Sequence, residues 1–133
     1  MIVADSNVLA ALCWNTAKSE VADHLFRRDG DWHAPILILS EIRSVARKYL
    51  DRKLCSLPDC GSALKHARSV IRLHALEESD EAILRLARDS NCSVYDCEFV
   101  HLADQLSAPL LTWDQQLLRA FPSFAITPEA HLG

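Results

Sequence analysis

The sequence IVADSNV at residues 2–8 predicts a strand, a turn and the start of a helix in quick succession. Its first three residues form a short apolar run with β-branched members, which is typical of a strand. The Asp5-Ser6-Asn7 segment then favours a helix N-cap, because short polar side chains there accept hydrogen bonds from free backbone N–H groups. An apolar helical pattern continues from Val8 to about Trp14.

Short strand-like segments alternate with longer helix-like segments along the rest of the chain. Helices are predicted over 17–28, from Pro35 through Tyr49, and over 58–69, 79–89, 99–106 and 114–120; strands are predicted near 33–34, 70–76, 109–112 and 124–126. Strands separated by helices, with no hairpin signal such as Asn-Gly, favour a parallel sheet covered on both faces. We therefore expect an α/β fold, a three-layer sandwich with a central, mainly parallel sheet of four to five short strands.

Length and composition indicate one domain over residues 1–133 in a reducing compartment. The chain has a formal charge of -4, which argues against general coating of DNA because non-specific affinity for nucleic acid needs clustered positive charge. The longest apolar stretches are too short to span a membrane, and residues 1–7 lack the basic start of a signal peptide. Five cysteines are an odd number, which suits free thiols better than a disulfide framework. We expect a cytoplasmic protein with no membrane partner.

Two acids follow predicted strands at the same structural position. Asp5 comes directly after the first strand, and Asp114 follows the strand over residues 110–112 by one residue. In open parallel sheets the functional crevice lies beyond the carboxyl ends of the strands. We therefore expect both carboxylates to point into one crevice.

Two further acids fall on the inward-facing sides of predicted helices. Asp96 precedes Phe99 and Ala103 at helical spacing, and Glu41 lies at the margin of its helix's apolar stripe. A buried ionised carboxylate costs several kcal/mol unless it is paired, hydrogen-bonded or metal-bound. Inward-leaning acids from separate segments therefore suggest a shared cation.

Each acid also has a purely structural interpretation. Carboxylates suit the first turn of a helix because they cap it and complement its dipole. The structural alternatives are an N-cap at Asp5, a capping box of Ser93 and Asp96, a first turn at Asp114 capped by Thr112 with Gln115, and a Glu41 that reaches solvent.

Four stretches together resemble the motifs of a known family. Residues 1–8, 39–43, 94–103 and 110–114 resemble, in order, the four motifs of the PIN domain, and their order and spacing fit the VapC-type ribonuclease toxins. The resemblance implies that Asp5, Glu41, Asp96 and Asp114 gather around one or two Mg²⁺ or Mn²⁺ ions and hydrolyse RNA phosphodiesters. A metal-bound water or a phosphate would be held with help from the polar side chains of Ser6 and Thr112.

The resemblance also implies partners. VapC-type toxins are held inactive by a small antitoxin protein, and a homodimer is expected, for which Leu12 and Trp14 on the first helix are candidate exposed positions. Some relatives carry a further acid where this chain has Gln115, Gln116 and Leu117. A second firmly held metal is therefore not expected.

Basic residues after Glu41 are candidates for the RNA backbone. Arg43 and Arg47 lie one helical turn apart and begin two residues after Glu41. The structural alternative is a solvated helix face, because runs of charge on helices usually are solvated.

Other functions fit the residues less well. The cysteine pairs 55/60 and 92/97 stand at the outer edge of zinc-ligand spacing, and the tryptophans are expected in the core or at an interface. A receiver domain needs a further aspartate after a middle strand, where this chain has Glu77-Glu78 instead. A dinucleotide-binding fold needs a glycine-rich turn after the first strand, where Ser6-Asn7 stand. The remaining alternative is a non-catalytic PIN-like scaffold that binds RNA or protein.

Overall fold

A computed structural model describes residues 1–133, and five parallel strands form its central sheet. The strands are β1 Ile2–Ala4, β2 Trp32–Pro35, β3 Ile71–His74, β4 Leu110–Leu111 and β5 Ala125–Ile126. Their order in the sheet is β3-β2-β1-β4-β5, and every neighbouring pair is parallel. The predicted α/β fold with a central parallel sheet is confirmed.

Eight helices connect and flank the strands. They are α1 Ser6–Cys13, α2 Ser19–Arg28, α3 Ile38–Asp51, α4 Leu57–Val70, α5 Asp80–Ser90, α6 Val94–Leu106, α7 Gln115–Ala120 and α8 Pro128–Leu132. The chain leaves β1 toward β2 and β3, then returns to the other side of β1 to form β4 and β5. This reversal beside β1 creates a switch point, which is where parallel sheets usually bind ligands.

The core forms where the apolar strands meet the apolar faces of the helices. Every residue of β1 is fully buried, as expected for a central strand of a parallel sheet. Trp32 is also fully buried and packs edge-on against Phe26 with 5.4 Å between ring centroids. None of the helices is long and apolar enough to cross a membrane.

Three local features differ from what the sequence indicated. Pro35 was expected near the start of a helix, but it ends β2, where it pairs with His74 of the edge strand β3, and α3 begins only at Ile38. The helix α8 was missed because five residues are too few to show a helical period. Trp14 was a candidate exposed position for a homodimer, but it is only 9% exposed because it stacks on Tyr49 of α3 at 5.6 Å, in agreement with the expectation that the tryptophans lie in the core or at an interface.

All five cysteines are free thiols. Cys55 lies in the turn between α3 and α4 and Cys60 in the first turn of α4, with 3.0 Å between their sulfur atoms. Burial beside Cys55 raises the pKa of the Cys60 thiol to about 11, so this thiol is protonated at neutral pH. Neither cysteine pair belongs to a group of three or more side chains that could hold zinc.

Candidate active site

The switch point brings the ends of β1 and β4 side by side. Ala4 and Leu111 are register partners in these neighbouring parallel strands, so the residues that follow them, Asp5 and Thr112, also lie next to each other. The Thr112 hydroxyl donates a hydrogen bond of 2.6 Å to Asp5 Oδ2. Thr112 is fully buried and Asp5 is only 6% exposed. The first predicted acid therefore stands at the floor of the crevice.

A small polar network extends from this pair to the fourth acid. Thr112 Oγ1 accepts a hydrogen bond of 2.9 Å from the backbone N–H of Asp114 and one of 3.4 Å from the Asn7 side chain. The side-chain oxygen of Asn7, Oδ1, in turn accepts a 3.4 Å hydrogen bond from the backbone N–H of Trp113. One buried hydroxyl thus connects the segments that carry Asp5 and Asp114.

Three of the acids also take part in helix caps. Asp5 is the N-cap of α1 and accepts from Ser6 N at 2.8 Å, and Asp114 is the N-cap of α7. Ser93 caps α6 by accepting from the N–H of Asp96 at 3.0 Å. The N-cap at Asp5 is thus confirmed. At α6 only the Ser93 half of the predicted capping box forms, and Asp114 caps its helix itself instead of following a Thr112 cap. These carboxylates gather at helix N-termini, where the helix dipole favours negative charge.

Burial changes the ionisation of Asp5. Loss of water raises the pKa of this carboxyl to about 6, although hydrogen bonds from Thr112 and Ser6 act in the opposite direction. The negative charges of Asp96 and Asp114 raise the pKa further. Asp5 therefore lies close enough to both other acids to be repelled by them.

Glu41 reaches the same crevice from α3. Its Oε1 atom is buried and has no hydrogen-bond partner. Burial, followed by the charges of Asp5, Asp96 and Glu98, raises the pKa of the Glu41 carboxyl to about 7. A buried carboxylate oxygen without a hydrogen-bond donor destabilises the fold. A cation or a water molecule at this position would satisfy the Glu41 Oε1 atom.

Asp96 completes the cluster. Burial, together with the charge of Asp114, raises the pKa of Asp96. The four predicted acids are therefore brought to one crevice, where they repel one another. No three of the His, Cys, Asp and Glu side chains are arranged as a group that could hold a metal ion.

The predicted substrate-binding residues occupy different surroundings. The Ser6 backbone binds Asp5, and the Thr112 hydroxyl is engaged with the same carboxylate. Arg43 and Arg47 lie on the exposed side of α3, where Arg47 bonds Asp51 at 2.9 Å.

Several residues at the crevice were not anticipated. The Asn7 side chain donates a hydrogen bond to the Thr112 hydroxyl, and Glu98 adds negative charge near Glu41. Glu129 of α8 accepts a 2.7 Å bond from the Trp113 indole and a 2.9 Å bond from Lys18. Asn7 and Glu98 lie inside the sequence motifs and were open to prediction, whereas Glu129 comes from a helix that has no periodic signal.

The chain belongs to the PIN domain family, whose pattern it matches over residues 2–121. The predicted membership, which came from the four acidic motifs, is confirmed. Within the family, the chain is 27% identical to Ribonuclease VapC3 from Pyrobaculum aerophilum over 130 residues, which cover 96% of this chain and 98% of that protein.

Two solved structures share the fold over nearly the whole chain. The crystal structure of PAE2754 from Pyrobaculum aerophilum has a TM-score of 0.76 at 21% identity and covers 98% of this chain and 91% of its own. A chain of a toxin-antitoxin complex from Klebsiella pneumoniae has a TM-score of 0.70 at 15% identity, and the match covers 96% of this chain and 98% of that chain. At these identities the likeness shows the fold.

Proposed function

We propose that the protein is a divalent-metal-dependent endoribonuclease and the toxin of a toxin-antitoxin pair, with one nuclease domain over residues 1–133. The observation that carries this proposal is the meeting of Asp5, Glu41, Asp96 and Asp114 in one crevice of a PIN fold. The identity to Ribonuclease VapC3 over nearly the whole chain supports RNA as the substrate.

The donor set fits Mg²⁺ or Mn²⁺. The four side chains offer only carboxylate oxygens, which hard divalent cations prefer, and the buried Glu41 Oε1 has no other partner. Mg²⁺ usually keeps several waters and binds few carboxylates directly, so the acids need not all touch one ion. We propose that Asp5 and Asp96 hold the metal most closely and that Glu41 and Asp114 act through water. When bound, such an ion activates water and neutralises the charge that develops on a phosphodiester.

The protein's own residues orient this site. Thr112 donates a hydrogen bond to Asp5 Oδ2, and the Ser6 N–H donates one to Asp5 Oδ1, so the Asp5 carboxylate cannot rotate freely. Glu41 presents an acceptor atom that no protein donor occupies. Contacts of Ser6, Thr112, Arg43 and Arg47 with the substrate stay predictions.

An antitoxin is proposed as the protein partner. The acidic crevice would attract a basic side chain, which would occupy the position of the cation and repel it. The fold likeness to a chain of a toxin-antitoxin complex agrees with this partner. A homodimer is also proposed, on the family resemblance alone.

Incubation with RNA tests the proposed function. Purified protein is mixed with a pool of structured RNAs with and without Mn²⁺, beside an Asp96→Asn variant. We expect cleavage by the wild type that requires metal and is reduced at least about tenfold in the variant, because the amide keeps the shape but loses the charge. Equal, metal-independent cleavage by both proteins would indicate a contaminant, and no cleavage by either would favour a non-catalytic scaffold.

A further inference from the structure

Two pairs of cysteines stand in the same local sequence pattern, Cys-Ser-x-x-Asp-Cys, at residues 55–60 and 92–97. In each pattern the serine is the N-cap of a helix, and its hydroxyl accepts a hydrogen bond from the N–H of the aspartate three residues later. The first cysteine therefore precedes the N-cap, and the second is the fourth residue of the helix. Side chains at these two positions often pack together where the chain enters a helix, so the pattern favours contact between the two thiols.

The two pairs differ in their access to solvent. Cys92 and Cys97 are 6% and 0% exposed, as is typical of free thiols that act as small apolar side chains. Cys60 is also buried, but Cys55 is partly exposed. Of the two pairs, only Cys55 and Cys60 therefore include a sulfur that a dissolved molecule can reach.

The sulfur atoms of Cys55 and Cys60 are 3.0 Å apart, and the Cys60 thiol donates a weak hydrogen bond to the Cys55 sulfur. A disulfide has a sulfur–sulfur length of about 2.0 Å, so a covalent bond requires the two atoms to approach by only about 1 Å. Cys60 packs against α3, where its sulfur lies 3.8 Å from the carbonyl oxygen of Ala46. The approach therefore needs movement mainly of Cys55, which lies in the turn.

Cys55 is also the one residue that anchors this turn. All the other residues from 51 to 59 are exposed, and the side chains of Leu54 and Leu57 are 67% and 72% exposed. Lys53 has a positive φ of 56°, which is uncommon for a residue other than glycine. A covalent bond between Cys55 and the buried Cys60 would therefore hold the turn to α4 more firmly than a thiol contact does.

We propose that Cys55 and Cys60 are a reversible disulfide site, that the oxidant is a small dissolved disulfide of the glutathione class, and that oxidation fastens the turn between α3 and α4. The Cys55 thiolate attacks one sulfur of the oxidant, breaks its sulfur–sulfur bond and releases one small thiolate. The Cys60 thiolate then attacks the Cys55 sulfur of this mixed disulfide and releases the second small thiolate. The two protein thiols lose two protons and two electrons in total, and the oxidant becomes two thiols.

The surroundings of the two thiols set the order of attack. Burial, followed by the hydrogen bond with Cys55, raises the pKa of Cys60 to about 11, so the Cys60 thiolate is scarce at neutral pH. Cys55 therefore begins the exchange because it is the accessible thiol, and Cys60 completes it from contact distance. In reducing compartments such disulfides are usually transient and sense oxidation. This site does not depend on the proposed ribonuclease function.

Thiol counting tests the site. The full chain is equilibrated with oxidised glutathione slightly above neutral pH, quenched with acid, and alkylated with N-ethylmaleimide under denaturing conditions for mass spectrometry. The reduced protein should take up five labels and the oxidised protein three, with no glutathione attached. Peptide mapping should find a cross-link between Cys55 and Cys60. Five labels after oxidation, or a cross-link between Cys92 and Cys97 or between two chains instead, overturns the proposal.

Three variants separate the two steps. Cys60→Ala removes the second attacking thiol, so Cys55 should retain one glutathione. In Cys55→Ser the buried Cys60 should react with the oxidant at least about tenfold more slowly than Cys55 does. Cys13→Ala removes a half-buried thiol outside the pair, and this control should still lose two thiols on oxidation. Each fold is checked by its Tm in reductant.

A folded Cys60→Ala protein that takes up no glutathione contradicts the proposal. If that variant does not fold, Cys55→Ser decides, because a loss of two thiols in this variant equal to that of the wild type also overturns the proposal.

Limited trypsin digestion measures the effect of oxidation on the turn. Trypsin cleaves after basic residues, and Arg52 and Lys53 lie in the exposed turn. Oxidation should slow cleavage there at least about threefold, because cleavage follows the population of the opened segment. Cleavage after Arg88, which is exposed on α5, should keep its rate, and dithiothreitol should restore the faster cleavage of the turn. Equal cleavage of the turn in both states would show that the disulfide does not fasten it.

Discussion

Thr112 Oγ1 lies 2.6 Å from Asp5 Oδ2, and this bond joins residues that are 107 positions apart in the chain. Thr112 is fully buried, so water cannot replace the hydroxyl if it is lost. The bond lowers the pKa of Asp5, against the larger effect of burial that raises it. Thr112 is thus a positioning residue for a carboxylate at the centre of the proposed site.

Replacing Thr112 by valine should destabilise the fold. Thr112→Val keeps the shape but leaves one Asp5 oxygen and the Asp114 N–H without their partner, which costs about 1 to 3 kcal/mol. Urea denaturation at pH 7 measures the loss, and Thr112→Ser, which keeps the hydroxyl, should recover most of it. Wild-type stability in the valine variant would show that water or another group satisfies Asp5.

The metal-free protein should lose stability as pH rises through neutrality. The pKa of Glu41 is raised to about 7 by burial and by neighbouring acids, so its folded-state pKa lies above its ordinary value of 4.5. The protonated Glu41 carboxyl therefore contributes to the free energy of unfolding. This contribution is fully present below about pH 4.5 and is lost as the pH rises through 7. Because Glu41 is only half-buried, solvent screening reduces the effect to about 1 kcal/mol.

Glu41→Gln isolates this contribution. The variant cannot ionise, so its stability relative to the wild type should increase between about pH 5 and pH 8 in chelator. Urea denaturation across this range measures the difference, with Glu20→Gln on the exposed side of α2 as a control. A difference that stays constant with pH would mean that Glu41 keeps an ordinary pKa.

Metal should relieve the repulsion among the acids. At a hundredfold excess over Kd, Mn²⁺ should stabilise the wild type by about 2.7 kcal/mol, which raises Tm. Asp5→Asn should raise Tm in chelator, because it removes a buried charge, and should abolish the rise with Mn²⁺. Melting curves of both proteins with chelator and with Mn²⁺ measure this; an equal rise in both would show that these acids do not form one metal site.

Expression of the chain should slow bacterial growth if it is a toxin. Growth should recover with Asp96→Asn, because the substituted amide no longer contributes charge to the metal site. Growth curves at matched expression, checked by immunoblot, measure the effect. Equal growth with both chains would favour a housekeeping ribonuclease or a scaffold over a toxin.

The fold could be predicted largely because its strands are short, apolar and separated by helices. The β1–α1 junction could be predicted from residues 2–8 alone, since Asp5 directly follows the strand and is the N-cap of the helix. Pro35 was misassigned because proline is tolerated both in the first turn of a helix and at the end of a strand such as β2, which pairs with the edge strand β3. Local pattern alone does not distinguish the two positions.

The candidate site was predictable only in part. The acids stand in motifs whose order could be recognised, but their partners come from elsewhere in the chain. The Thr112–Asp5 bond depends on which strand pairs with β1, and the bond from the Trp113 indole to Glu129 depends on where α8 packs. Such relationships follow from the topology and leave no trace in local spacing.

The pairing of β1 with β4 has a consequence for synthesis of the protein. Asp5 emerges from the ribosome early, but Thr112 and Asp114 follow more than a hundred residues later. At about 5 to 20 residues per second, the delay is roughly 5 to 20 s. During that time β1 has no β4 beside it, and the two strand ends cannot meet. A ribosome that stalls before Thr112 therefore releases a chain that carries Asp5, Glu41 and Asp96 but no assembled crevice.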